Sequence, residues 1–382
     1  GILTMTAQGA IGATGGNGPL DLTVGTLQAT TNAGGIFLLE SNALIIGATA
    51  VQTTANNAPI EITLTAGDLT LQDDITAHGS GTVTLAVLGA DASLITGDTD
   101  DDIVSGSGAI SITADRLQLV GGNITSSGAL TLQPNATDES VGISGGAGNF
   151  ALSTAEIDLL SNGFSSITIG RSDSTALMTI NADAFLDPIT FRMGGVSGDI
   201  TTAGALTTTD LSMTFTAGTG NSGVFTQGDG SSTIATGSGA IIVNADTIAL
   251  STTANTVTTT GAITLQPNTA GRPIVIGAAG GVGDLALSAA EIAALTDNAS
   301  GITIGRANSG AVTISAIAFN DPITILGAAM SVTALQASAN NITLTSTSTI
   351  DELVDNTTAD ITTSGILTMT AQGAIGATGG NG

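Results

Sequence analysis

The chain has no cysteine, tryptophan, tyrosine or lysine, and each absence narrows what it can be. Without cysteine it forms no disulfide and offers no thiolate, which fits an extracellular or an intracellular location equally. Its aromatic residues are eight phenylalanines, so the core must consist mainly of Ile, Leu, Val and Ala. No uninterrupted apolar run approaches the ~18–20 residues of a membrane-spanning helix, and we expect no membrane span in this segment.

Charge is scarce and almost entirely negative. Only 9% of the residues are charged, and five arginines face 31 Asp and Glu residues, which gives a net charge of −26. A nucleic-acid-binding surface needs clustered basic side chains, so nucleic acid is not an expected partner. Anionic membrane surfaces are disfavoured for the same reason.

Short runs that alternate apolar and hydroxyl residues recur along the chain. Examples are IEITLT (60–65), TVTLAV (82–87) and ITLTS (342–346), which are separated by clusters of Gly, Asn, Asp and Ser, often at intervals near 20 residues. Such alternation is typical of strands with one buried face, and in the first run it directs Ile60, Ile62 and Leu64 inward. The pattern predicts an all-β, parallel β-solenoid with about 20 residues per coil. At ~4.8 Å per coil, 364 residues would form about 18 coils and an axial repeat near 90 Å.

The sequence also repeats on two longer scales. Residues 1–18, GILTMTAQGAIGATGGNG, recur unchanged as residues 365–382, a period of 364 residues. Within that period ITIGR occurs at 167–171 and again at 302–306. These repeats predict one continuous solenoid over 1–382, with adjacent copies of the repeat stacked end to end as its partners. The predicted modules are 1–104 (divergent), 105–235 and 236–364 (related copies), and 365–382 (the start of the next repeat).

Two short segments depart from the strand pattern. LSTAEI (152–157) and LSAAEI (287–292) each place Glu three residues after Ser and ahead of an apolar run. This arrangement is a capping box, in which the Ser hydroxyl and the Glu carboxylate satisfy N–H groups of the first helical turn. We therefore predict one short helix per module, with Ser153 and Ser288 as N-caps.

The module at 236–364 resembles a known class of proteins. Residues 265–315, LQPNTAGRPIVIGAAGGVGDLALSAAEIAALTDNASGITIGRANSGAVTIS, resemble the repeats of giant bacterial surface proteins of the filamentous-haemagglutinin-like adhesin class. The resemblance is strong over 260–325, good over 127–200 and only compositional elsewhere. It implies a right-handed parallel β-helix, export to the cell exterior and an adhesive or matrix-forming role. It implies no particular binding residue.

One acidic run is a weak candidate for a calcium site. The segment GDTDDD (97–102) brings together Asp98, Asp100, Asp101 and Asp102, and carboxylate oxygens are the ligands that Ca²⁺ prefers. The EF-hand pattern fails, because its central Gly and closing Glu are missing. A solvated acidic turn is the favoured interpretation, and no cofactor is predicted.

Other candidate sites have simpler explanations. His78 is the only histidine, and no nucleophile or orienting residue stands at a motif spacing from it. The Gly-rich stretches 12–18 and 145–149 suggest phosphate-binding loops, but they lack a lysine and a strand–loop–helix setting. We interpret them as corners that need positive φ angles, and we predict no catalytic residue.

These observations favour a structural protein over an enzyme. The leading hypothesis is a tandem-repeat β-solenoid that forms an extracellular fibre, stalk, sheath or adhesin shaft at the cell surface. An alternative is an adhesive face that binds extracellular glycans or other cell surfaces. A remote alternative is a β-helix enzyme acting on polysaccharide, which would need clustered acids with Arg or Lys and aromatic platforms for sugar rings.

Overall fold

The computed structural model describes residues 1–14, 18–220, 222–354 and 357–376, and it shows a parallel β-solenoid of about 16 turns. The fold is all-β, with 2% helix, which confirms the predicted class. The average turn has about 23 residues rather than the predicted 20. Among the described residues, no helix is both long enough and apolar enough to cross a membrane.

The chain forms two compact units. The first contains Gly1–Arg171 and Leu186–Thr190, and the second contains Ser172–Phe185 and Phe191–Gly382. In each unit a coil has three faces, which we call the first, second and third face in chain order. The strand Ile189–Met193 begins in one unit and ends in the other.

In the first unit the first face is a continuous parallel ladder. Its strands are Leu20–Leu22, Ile36–Glu40, Ile60–Leu64, Val83–Val87, Ile110–Thr113, Ala129–Gln133 and Ser166–Arg171. Three strands run across the second and third faces together: Ile2–Ala7, Thr26–Thr31 and Leu44–Thr53. The second face continues with Leu69–Leu71, Ser93–Thr96, Arg116–Leu119, Phe150–Leu152 and Val141–Ile143. The third face continues with Ile75–Ala77, Ile103–Ser105 and Ile124–Thr125.

The second unit repeats this plan. Its first face contains Met213–Thr216, Ile241–Asn244, Ala262–Gln266, Gly301–Gly305, Ile323–Gly327, Ile342–Ser346 and Leu367–Ala371. Its second face contains Leu177–Ile180, Asp199–Thr202, Val224–Gln227, Thr247–Ala249, Leu285–Ser288, Ile274–Gly277, Val312–Ile314, Met330–Val332 and Ile350–Glu352. Its third face contains Asp183–Phe185, Leu206–Thr208, Ile234–Ala235, Val257–Thr258, Ile317–Ala318, Leu335–Gln336 and Ile361–Thr362.

Two coils are much longer than the rest, although ordinary coils also exceed 20 residues, as the spacings of 24 from Ile36 to Ile60 and 27 from Val83 to Ile110 show. Stacked first-face residues lie 37 positions apart from Leu130 to Ile167 and 39 apart from Ile263 to Ile302. Each long coil contains an additional pair of parallel strands, in which Val141 lies beside Phe150 in the first unit. The predicted helices, Thr154–Ile157 and Ala289–Ile292, follow these pairs. The capping boxes of Ser153 and Ser288 are both present, so that prediction is confirmed.

The core consists of aliphatic columns that run from coil to coil. Ile60, Ile62 and Leu64 are fully buried, as predicted, while the residues between them remain partly exposed. Ile60 stacks in register with Val83, and Val83 stacks with Ile110. Each aliphatic side chain removed from water in this way contributes about 1.5–3 kcal/mol. A single coil has no partner for its inward row, so stacking is what stabilises the fold.

Candidate functional site

The predicted acidic cluster is a turn between the second and third faces of the first unit. Asp98 and Asp100 are exposed, Asp102 is half-buried, and Asp101 is only 2% exposed. In the coil below, Asp73 and Asp74 line the same open hollow as the run itself. The structure therefore brings the four sequence-predicted carboxylates together and adds two that the sequence analysis did not single out.

The carboxylates of this turn accept hydrogen bonds from the backbone. Asp101 Oδ2 accepts from the N–H groups of Gly97, at 2.6 Å, and Asp98, at 2.8 Å. Asp74 Oδ1 accepts from Asp102 N at 2.9 Å, and Asp102 Oδ1 accepts from Asn123 N at 2.6 Å. These last two bonds tie three successive coils together. In the described part of the chain, no group of three or more His, Cys, Asp or Glu residues has a geometry that could hold a metal ion.

The surroundings of this turn disfavour the ionised form of one carboxyl, that of Asp74. Burial raises the pKa of Asp74, and repulsion from Asp102, Asp73 and Asp101 raises it further. The hydrogen bond from Asp102 N–H opposes these effects. Hydrogen bonds to the backbone thus hold the acidic turn in place, although they bring several negative charges close together.

His78 lies in an exposed turn of the first unit. Its Nδ1 lies 2.8 Å from Asn56 Oδ1 in the coil below, and its backbone N–H donates to Thr53 Oγ1. The contact with Asn56 links two turns, and it matches the interpretation of His78 as a turn residue.

The Gly-rich stretch 145–149 is the loop between the additional strands of the first long coil. The N–H of Gly146 donates to Ile143 O, and the N–H of Asn149 donates to Ser140 O. Bonds within the loop thus use these donors, whereas a phosphate cradle needs donors that point at the ligand. Gly145 has a φ of 80°, as the corner interpretation predicts. Of the other stretch, 12–18, residues 15–17 lie outside the described residues, and Gly12 has a φ of 70°.

A set of polar contacts, most of them part-buried, holds one corner of the first unit across four coils. Asp115 Oδ1 accepts from Ala136 N at 3.0 Å, and Asn135 Nδ2 donates to Leu88 O two coils below at 3.3 Å. From the coil above, Arg171 Nη1 donates to Pro134 O and Asn135 O, at 3.1 and 2.7 Å. We call Asp115, Asn135 and Arg171 the corner clamp.

The second unit contains an equivalent corner clamp. The fully buried Asp246 accepts from the N–H and the hydroxyl of Thr269, at 2.7 and 2.5 Å. Asn268 Nδ2 donates to Ala217 O at 2.6 Å, and Arg306 Nη2 donates to Asn268 O at 2.5 Å. The repeated LQPN and ITIGR motifs therefore form one structural device. The aspartates of the two clamps were not predicted from the sequence. An Ala-Asp pair, at 114–115 and at 245–246, nevertheless follows a first-face strand in both modules.

The glutamates of the two capping boxes also bind the coil beneath them. Glu156 Oε2 accepts from the N–H and hydroxyl of Ser153, while its Oε1 accepts from Leu119 N at 3.0 Å. Glu291 repeats this arrangement, with Oε1 accepting from Leu250 N at 3.2 Å. Each helix is therefore fastened to the second face of the preceding coil.

No protein family, curated protein or solved structure matches this sequence. The function must therefore be argued from the fold and from these side-chain contacts.

Proposed function

We propose that this chain is a repeat unit of an extended extracellular structure, such as a fibre, stalk, sheath or adhesin shaft, and that it acts mechanically rather than as an enzyme. The observation that carries the proposal is the ladder within each unit. Inward aliphatic residues stack in unbroken register from coil to coil, and the backbone hydrogen bonds run between coils. Such a stack resists unfolding and sets a fixed reach.

The polar side chains support this proposal because the most prominent of them are used to fasten coils. The acidic turn, the corner clamps and the capping glutamates each bind backbone groups of a neighbouring coil. All eight phenylalanines are buried, and the chain has no Trp or Tyr. Ligand pockets are lined predominantly by apolar and aromatic side chains, so the absence of exposed rings favours a shaft over a glycan-binding face.

The resemblance to filamentous-haemagglutinin-like adhesins supports an extracellular location. The Leu-Gln-Pro and Ile-Gly stretches that carry the resemblance stand directly before the Asn and Arg of the corner clamps. A clamp of this kind fastens neighbouring coils, as a long stack requires. We propose a location at the cell surface, as part of a shaft, on the strength of the resemblance.

The length of proteins that carry several tandem copies tests this function. We expect proteins with one, two and three copies of the 364-residue repeat to lengthen by ~75 Å per copy, since about 16 turns advance ~4.8 Å each. Negative-stain electron microscopy and small-angle scattering measure this increment. Particles that grow in all dimensions instead of one would contradict the proposal.

A further inference from the structure

The identical segments at 1–18 and 365–382 have the same local backbone where both are described. Ile2–Ala7 and Leu367–Ala371 are strands, each followed by a two-residue bend and an isolated bridge residue, Ile11 or Ile375. The next residue is left-handed in both, with φ of 70° at Gly12 and 78° at Gly376. The sequence therefore specifies one conformation in two different settings.

The two segments contact opposite neighbours. The first pairs with the strand that follows it, so that Leu3 lies beside Leu27, and Ile11 forms a bridge with Ile36 of the first face. The second pairs with the strand that precedes it, so that Leu367 lies beside Ile342. Its bridge residue pairs with Ile350 of the second face.

The backbone groups used in the two settings do not overlap. In the first segment, Gly1 O, Ala7 O and both groups of Ile11 bond to the following coil. In the second segment the groups that bond to the preceding coil are the carbonyls of Ile366 and Ala374 and the N–H groups of Gln372, Gly373 and Gly376. In the first numbering these are groups of residues 2, 8, 9, 10 and 12. Apart from the N–H of residue 9, odd residues bond to one side and even residues to the other, as in a strand between two parallel neighbours.

We propose that the two segments show the two sides of one shared coil. In an assembly of copies, the first segment of one copy takes the place of the second segment on the preceding copy. It then lies between Ile342–Ser346 of that copy and Thr26–Thr31 of its own. This inference rests on the proposed end-to-end function and specifies its joint.

The joint matches different faces of the two copies. The bridge residue would join Ile350, on the second face of one copy, to Ile36, on the first face of the next. Ile375 is 51% exposed, whereas the equivalent Ile11, which lies against the following coil, is 7% exposed, so the joint buries this apolar position.

Cysteine trapping tests the joint, because the chain has no cysteine of its own. The acceptor chain carries Leu367→Asp and Met369→Asp, which release its second segment, and also Thr343→Cys. The donor chain carries Thr4→Cys, because Thr343 pairs with Thr368, the equivalent of Thr4. We expect a disulfide-linked donor–acceptor dimer on a non-reducing gel.

Register provides the matched control. In a donor with Thr6→Cys, the cysteine lies two residues along the strand from the position beside Thr343. Its Cα is then farther from that of residue 343 than the ~4.4–6.8 Å that a disulfide spans. This donor should cross-link at least ~10-fold more slowly. An acceptor with Thr343→Cys alone should react poorly, because its own segment fills the site. A peptide of residues 1–18 should suppress the cross-link, and the same peptide with Leu3→Asp should not. If the Asp pair lowers the β-sheet signal in circular dichroism, Leu367→Ser with Met369→Ser replaces it.

Equal cross-linking of the Thr4→Cys and Thr6→Cys donors, or none with either, would overturn the shared-coil joint. The test is separate from that of the proposed function. If tandem proteins lengthen as expected but register-specific trapping fails, the shaft proposal stands and this joint is wrong. Trapping without lengthening would do the reverse.

Discussion

At the residue scale, single carboxylates fasten one coil to the next. Glu156 is the clearest case, because one side chain caps its own helix and also accepts from Leu119 N in the coil below. Glu291 does the same with Leu250. The Ser-x-x-Glu pattern made the cap predictable, but nothing local in the sequence indicates which N–H the second carboxylate oxygen reaches.

We expect Glu156→Ala to lower the free energy of unfolding by about 2–3 kcal/mol, because it removes a helix cap and leaves the N–H of Leu119 without its partner. Urea denaturation followed by circular dichroism measures the change. Asp158→Ala is the matched control, since it removes an exposed negative charge from the end of the same helix. An equal loss for both variants would show that charge, and not the bond to the lower coil, is responsible.

Asp74 gives a prediction of pH dependence. Burial first, and then repulsion from Asp102 and its neighbours, raises its pKa in the folded protein. A raised carboxyl pKa means that ionisation opposes folding, so the stability present at low pH is lost as the pH rises through the folded value. We therefore expect Asp74→Asn to be more stable than the parent at pH 7, by an amount that shrinks as the pH approaches ~4.

Urea midpoints at several pH values check this prediction. Asp229→Asn is a control of opposite sign, because hydrogen bonds from Ser231 lower the pKa of Asp229. That substitution should cost stability at pH 7 rather than add it. A parent and an Asp74→Asn variant with the same pH profile would contradict the assignment.

At the scale of the element, alternation made most strands predictable, while coil length was not. The additional strand pairs, such as Val141–Ile143 with Phe150–Leu152, lie on either side of a Gly-rich loop. The glycines of that loop predict a simple corner, because a corner and a small extra turn need the same residues.

One cluster of elements departs from the thin aliphatic pattern. In the second unit the rings of Phe191 and Phe215 stack with centroids 5.5 Å apart, and Phe225 lies 4.8 Å from Phe215. We expect Phe215→Ala to lower the free energy of unfolding by about 3–5 kcal/mol through the cavity it leaves. Phe215→Leu should cost less, and Val282→Ala, at a fully exposed position, should cost almost nothing. Chemical denaturation measures the free energy of unfolding of all three variants. An unchanged value for Phe215→Ala would show that the rings are not tightly packed.

At the scale of the whole molecule, the dominant quantity is the net charge of −26. Among the described residues, Arg116 forms a salt bridge with Asp91 at 3.1 Å, and this pair is largely exposed. Such a pair contributes little, and five arginines face 31 Asp and Glu residues, so repulsion between carboxylates is poorly compensated. Folding concentrates these charges, and dissolved salt screens them.

We therefore expect the urea midpoint to rise as NaCl increases from about 10 mM to 500 mM, over which the Debye length falls from ~30 Å to a few ångströms. CaCl₂ at matched ionic strength should give the same rise if the acidic turn holds no cation. Arg116→Ala should leave the salt dependence of the urea midpoint unchanged. This control distinguishes repulsion among all the carboxylates from the loss of the Arg116–Asp91 salt bridge. A midpoint that falls with salt would contradict this account.

The sequence by itself determined the strands, the inward aliphatic rows and the two helices, because period-2 alternation and capping boxes are local signals. The tertiary structure alone decided which face each strand occupies. The segment shared by 1–18 and 365–382 shows the physical reason: its alternation fits any face, so the neighbouring coil selects the place. The corner clamps could likewise be identified only in the structure, because Asn135 contacts Leu88 only after the chain has wound through two turns.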